Sequence, residues 1–127
     1  MTRSTVFSAE APAPVGPYSH GIVASGEFVY LSGQTPLDPA TGSLVEGGVA
    51  AQTQRVFENL RLVLEAAGIG FENVVKTTVF LTDMADFAEM NEVYGTVFAD
   101  DAPARSTFAV AGLPLGARVE IELVAVR

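Results

Sequence analysis

No cysteine occurs in the 127-residue sequence. Disulfides, thiolate catalysis and cysteine-held metals are therefore all excluded. The single histidine, His20, leaves no ligand cluster for zinc, and no metal is expected. Basic residues are also scarce, with 7 Lys and Arg against 15 Asp and Glu and a net charge of −8. Nucleic-acid binding draws much of its affinity from neutralising phosphates, so this balance predicts no nucleic-acid groove. It leaves room for a local anion pocket built from a few arginines. No apolar run approaches the roughly 20 residues needed to span a bilayer. The opening stretch MTRSTVFSAEAPAP lacks the apolar core of a signal peptide. These absences predict a cytoplasmic protein without a membrane partner.

Hydrophobic residues make up 49% of the chain and charged ones 17%. That composition supports one domain over residues 1–127 with a real core, and its low charge density suggests surface hidden against other subunits. Thr5–Ser8 reads as a short strand. Ser19–Ser25 and Phe28–Leu31 read as two strands joined by a tight turn at Gly26-Glu27. The Gly- and Pro-rich stretch Ser32–Gly48 reads as a long loop. From Val49 the period changes: Val49, Thr53, Val56, Phe57, Leu60, Val63, Leu64 and Ala67 recur at three- and four-residue steps, which is a helix. Gly68 is its natural stop. Val74–Leu81 is β-branched and strand-like. Asp83 can cap a second helix reaching about Phe98, with Met84, Phe87, Met90, Tyr94 and Phe98 on its buried stripe. Two alternating segments, around Arg105–Ala111 and Arg118–Val126, close the chain. The order βββαβαββ predicts an α+β fold: a mixed six-stranded sheet with both helices on one face.

With the clearest apolar sets under the helices, alternation puts Arg105, Thr107, Arg118, Glu120 and Glu122 on the opposite face. A hairpin around Gly112–Ala117 would bring Arg105 beside Glu120 and Glu122, themselves about 7 Å apart along the strand. Two readings of this face remain open. It is a wet surface with ordinary ion pairs, or it is covered by another subunit, as Ala109, Ala111, Val124 and Val126 on the same face suggest.

Four segments then resemble successive blocks of the Rid family (reactive intermediate/imine deaminases). They are GPYSH (Gly16–His20), LSGQTPLDPATG (Leu31–Gly42), VVKTTVFLTDMADFAEMNEVY (Val74–Tyr94) and PARSTFAVAGLPLGARVEIE (Pro103–Glu122). The resemblance covers nearly the whole chain in the right order. It implies a chorismate-mutase-like fold and a homotrimer whose sheets form an inner barrel, with ligand clefts between subunits. It also implies hydrolysis of enamine and imine intermediates such as 2-aminoacrylate to 2-keto acids and ammonia, without cofactor or metal. Those intermediates are released by pyridoxal-phosphate-dependent enzymes.

Carried over by this resemblance, Arg105 matches the carboxylate-binding arginine, whose planar fork lysine cannot reproduce. The competing role is an ion pair with Glu122. Glu120 matches the residue that positions water at the imine carbon; alternatively it holds Arg118. Tyr18, Ser32 and Gly33 match the pocket wall, although Tyr18 could serve only packing, and Ser32 and Gly33 only the turn. Thr107 stands where members carry Cys or Thr, with its backbone toward the ligand. Asn91 and Tyr94 are expected to fix subunit packing, and His20, where Gln is common, to be a structural hydrogen-bonder. Gly112 and Leu115 depart from the basic residues frequent there, and the Phe98–Pro103 segment is short; both bear on substrate range. Two other classes share the fold: a non-enzymatic 2-keto-acid binder and a chaperone-like trimer. A ribonuclease fits poorly with the acidic balance and the lone histidine.

Overall fold

A computed structural model describes residues 1–127. Strands β1 (Thr2–Val6), β2 (Gly21–Ser25) and β3 (Phe28–Gln34) precede helix α1 (Val49–Ala66). Strand β4 (Val74–Leu81), helix α2 (Phe87–Val97), β5 (Ala104–Ala109) and β6 (Val119–Val126) follow. The order is the βββαβαββ read from the sequence, and the class is α+β. No helix is long and apolar enough to cross a membrane.

α1 forms because its apolar residues repeat with the helical period, and Val56, Leu60 and Leu64 are wholly buried along that stripe. Thr53, also buried, returns its hydroxyl to the Val49 carbonyl at 2.7 Å, so no polar atom is stranded. The helix ends where Gly68 turns left-handed at φ 76°. There the Gly68 and Ile69 amides reach back to the Glu65 and Leu64 carbonyls, closing a Schellman motif. Asp83 caps as expected, accepting from the Ala85 amide at 2.9 Å. It starts a short 3-10 turn, Met84–Asp86, from which α2 continues. Met90, Tyr94 and Phe98 are buried, whereas Met84 and the α1 residue Val63 are 44% and 40% exposed, both off the stripes expected for them.

The six strands fall into two sheets, a β1–β2 ribbon and a four-stranded sheet ordered β3-β6-β4-β5. β2 and β3 therefore do not pair with each other. Gly26, at φ 136°, sits where a Cβ would come within 2.6 Å of the Arg127 carbonyl, and Glu27 exchanges backbone hydrogen bonds with Arg127. The turn thus delivers the chain to the end of β6 instead of folding it back on β2. β3 also runs beyond Leu31 to Gln34, with a register irregularity between those residues.

The expected hairpin of the last two strands is not formed. β5 pairs in parallel with β4, and β6 pairs antiparallel with β4 on the other side. α2 makes the crossover that a parallel β4–β5 pair requires. Both helices cover one face of this sheet, where Val79, Leu81, Val119, Ile121, Leu123 and Ala125 join the core. Phe57 anchors an aromatic cluster there, with edge contacts to Phe71, Tyr94 and Phe98. On the other face Phe28, Tyr30 and Phe108 are 52%, 76% and 44% exposed within the single chain.

Candidate functional site

Arg105 sits in register with Thr77 of β4, and Thr107 with Val79. Thr77 and Val79 belong to the helix-covered face, so Arg105 and Thr107 lie there too. This reverses the expected placement. The apolar alternates Phe108 and Val110 had made the other face look like the buried one. A cation can enter the covered side because it is well accommodated there. The Arg105 guanidinium carbon lies 4.6 Å from the Tyr94 ring centroid, 5.5 Å from that of Tyr18 and 5.6 Å from that of Phe87. Aromatic faces attract a cation electrostatically and offset part of its lost hydration. Asn91 accepts from Arg105 Nη1 at 2.7 Å.

Arg105 is in no ion pair, with Glu122 or any other carboxylate. Burial holds its pKa below the ordinary arginine value, and the neighbouring Tyr94 and Tyr18 partly oppose that shift. Tyr94 is itself fixed by a 2.6 Å hydrogen bond with Thr77 Oγ1. Its burial pushes the phenol up to about 12, against the smaller effects of Thr77 and Arg105, so it remains neutral. Tyr18 accepts from the Val15 amide at 3.3 Å through its hydroxyl, which turns its ring toward the guanidinium. The Thr107 hydroxyl is buried without a hydrogen-bond partner.

Glu120, Ser32 and Gly33 form a second group. Val119 and Ile121 point into the core, so Glu120 between them faces the opposite side of the sheet, in register with Phe80. Phe80 meets Phe108 edge-on across that open face. The Glu120 carboxylate lies directly over Gly33, where a Cβ would fall 2.1 Å from Oε2. A side chain at Gly33 would push the carboxylate aside, so glycine makes room for Glu120 in this position. Ser32, exposed beside it, lines a cavity of about 300 Å³ with Tyr30, Lys76, Thr78, Glu122 and Val124.

The residues singled out from the sequence therefore separate into two groups. Arg105, Tyr18 and Thr107 lie under α2, while Glu120, Ser32 and Gly33 lie on the open face. The arginine and the glutamate occupy opposite sides of one sheet with β4 between their strands. Proximity within one chain was the wrong expectation: β4 takes the place of the expected hairpin partner, and β5 turns Arg105 to the helix-covered face. Arg118 departs as well. The strand begins after it, at Val119, and its guanidinium grips Asp86 through Nε at 3.1 Å and Nη2 at 2.6 Å. That bond raises the Arg118 pKa and leaves Glu120 without the alternative role of holding Arg118.

His20 is structural, as expected. Its Nδ1 accepts from the Ser8 amide at 3.1 Å and its Nε2 meets the Pro12 carbonyl at 2.6 Å, while Phe7 stacks on the ring. Asn91 and Tyr94, expected to fix subunit packing, both touch Arg105, and Tyr94 is wholly buried within the single chain. Phe87 was read only as core. The three stand at i, i+4 and i+7 on α2, a spacing that places them on one stripe. An amide inside an apolar stripe was the signal that could have found them.

The family model described as Endoribonuclease L-PSP matches residues 8–127. Protein DfrA of Myxococcus xanthus is 51% identical over 127 residues, covering 99% of this chain and 97% of that protein. A mouse protein named 2-iminobutanoate/2-iminopropanoate deaminase is 48% identical over 127 residues, covering 100% of this chain and 93% of its own. Among solved structures, RidA from an Antarctic Psychrobacter superposes with a TM-score of 0.77 at 45% identity, covering 98% and 99% of the two chains. With the motif blocks, the fold and near-complete coverage in agreement, the chain belongs to the endoribonuclease L-PSP family, the Rid (YjgF/RutC) family that its sequence resembles.

Proposed function

We propose that this protein is an imine deaminase. It would hydrolyse small 2-imino acids of the 2-iminobutanoate and 2-iminopropanoate type, including the imine tautomer of 2-aminoacrylate, to 2-keto acids and ammonia. The observation that carries this reading is Arg105, a half-buried cation between aromatic rings with no carboxylate of its own. Such a guanidinium suits the carboxylate of a small acid, bound through two parallel N–H donors. The mouse relative's name points to the same substrates.

The chemistry needs one more group. Glu120 would hold a water and take its proton as the oxygen adds to C2 of the imine. The resulting carbinolamine collapses as its nitrogen takes a proton and leaves as ammonia, and the C2 oxygen becomes the ketone. One water is consumed and no electrons change hands. Free imines already hydrolyse in water, so positioning with modest acid–base help suffices. Because Arg105 and Glu120 lie on opposite faces of their own sheet, the complete site would form between copies. The open face of one subunit, with Glu120, Ser32 and Gly33, would meet the Arg105 side of the next in a homotrimer. The exposed Phe28, Tyr30 and Phe108 fit burial in that assembly.

The direct test couples a serine or threonine dehydratase to the protein and follows keto-acid formation. The wild type should accelerate it, and Arg105→Ala and Arg105→Lys should not. Equal rates for all three would remove the proposal. Calorimetry with 2-oxobutanoate would separate turnover from binding without turnover.

A further inference from the structure

We infer that Asn91 is the positioning residue of the anion site, a neutral tether that fixes the Arg105 guanidinium without cancelling its charge. The inference rests on the reading of Arg105 as a carboxylate grip and concerns how that grip is kept available.

Arg105 makes a single hydrogen bond, from Nη1 to Asn91 Oδ1. Arginine has five donor hydrogens and no acceptor, so the amide must present its oxygen, and its orientation is fixed by chemistry. Nε and Nη2 donate to nothing within the chain. They are also absent from the buried unpaired polar atoms, of which Thr107 Oγ1 is the sole example, so solvent reaches them. Gly16 contributes to that opening. A Cβ there would stand 3.4 Å from Arg105 Nη2 and equally close to Asn91 Nδ2. The tether therefore occupies one corner of the fork and leaves its Nε–Nη2 edge, the edge that matches two carboxylate oxygens, for a ligand.

Stability alone would favour a different residue. Aspartate has nearly the same shape as asparagine, and its carboxylate would add to the hydrogen bond a full charge–charge attraction to the half-buried guanidinium that an amide oxygen lacks. It would also neutralise the cation and compete from within the chain for the acid the site is built to bind. A neutral amide gives a weaker bond and keeps the positive charge. Phe87 and Tyr94, on the same stripe of α2 as Asn91, act alongside it. Their rings hold the guanidinium through its faces, and a face contact leaves the in-plane N–H groups free.

The test compares Asn91→Asp and Asn91→Ala with wild type, using 2-oxobutanoate as the calorimetric probe, thermal melts, and the coupled assay. Asn91→Asp should weaken probe binding by about tenfold or more, as expected when a competing charge pair forms. Its melting temperature should be unchanged or higher. In the assay its KM should rise by a similar factor with kcat nearly kept, the pattern of lost uniform binding. Asn91→Ala keeps the charge and loses the orientation, so it should bind less weakly than Asn91→Asp while melting lower. A purely structural asparagine predicts the reverse, with affinity following stability in both variants. Wild-type affinity in Asn91→Asp, or loss of affinity only in step with loss of melting temperature, overturns the tether. Should Asn91→Asp not fold, Asn91→Ala decides: unchanged affinity with a raised or equal melting temperature overturns it, and weakened affinity with an unchanged kcat supports it. Failure of the wild type to bind the probe would instead sink the reading of Arg105 itself.

Discussion

Copies carrying Arg105→Ala and copies carrying Glu120→Gln should each be inactive alone and active when assembled together. The reason is geometric. Arg105 is on β5 under the helices, and Glu120 is on β6 facing the open side. With β4 between them, the two strands are two spacings apart, roughly 10 Å. Their side chains also diverge to opposite faces. The substrate's carboxylate carbon and its C2 are bonded neighbours about 1.5 Å apart, and each residue must come within roughly 3 Å of its target or of the water between. One chain cannot satisfy both demands, whereas the proposed ring of copies would. In a ring, each site takes its arginine from one copy and its glutamate from the next, a head-to-tail arrangement. In a ring of three that holds both variants, one of the three ordered contacts joins an intact arginine to an intact glutamate, so about a third of the sites are complete. Coexpressing the two variants with different tags, purifying through both tags, and assaying keto-acid formation gives the measurement. Activity well above the sum of the homogeneous variants is expected. No recovery in doubly tagged, intact assemblies would refute the reasoning, because sites built within one copy would all carry a lesion.

Gly33→Ala should displace the Glu120 carboxylate, since the new Cβ would fall 2.1 Å from Oε2. Turnover should drop by about tenfold or more, within the roughly 100- to 10,000-fold that a positioned base supplies, while calorimetric affinity for 2-oxobutanoate stays near wild type. Tyr94→Phe removes the partner of the wholly buried Thr77 hydroxyl, and denaturant titration should show a loss of about 1–3 kcal/mol. In wild type the Tyr94 phenol is raised from 10.0 to about 12 on folding. The folded state therefore keeps a proton that the unfolded chain gives up, and stability present below pH 10 is lost as pH rises toward 12. Melts across that range should show a shallower decline in Tyr94→Phe. Leu115, 70% exposed, adopts the left-handed conformation at φ 60°, which costs a side chain of its kind roughly 1–2 kcal/mol. Leu115→Asn should raise the denaturant midpoint.

Much of the fold was legible because its signals are local. The α1 stripe, the Gly68 stop, the Asp83 cap and the limits of β4 all follow from residues within a few positions of one another. Strand order is a different matter. Nothing near Gly112–Ala117 announces that β4, from much earlier in the chain, separates β5 from β6. The facing of β5 was lost for a related reason. Phe108 is the more apolar alternate, and the sequence of β5 cannot say that Arg105 would find three rings and an amide on a distant helix. The choice of candidate residues did not depend on either error, because the motif blocks carry them whatever the strand order. Their grouping did, and only the sheet topology assigns Tyr18 and Thr107 to the arginine and Ser32 and Gly33 to the glutamate.

The manner in which Arg105 is held also sets its tolerance of the medium. Its neighbours are two phenol rings, a benzene ring and an amide, so no carboxylate takes part in holding it. Arg118, gripped by Asp86, and Arg61, gripped by Glu58 and Glu65, lean on carboxylates whose attraction salt screens. Brine would loosen those arginines and weaken the hold on any arriving acid. The posture of the waiting guanidinium would stay as it was.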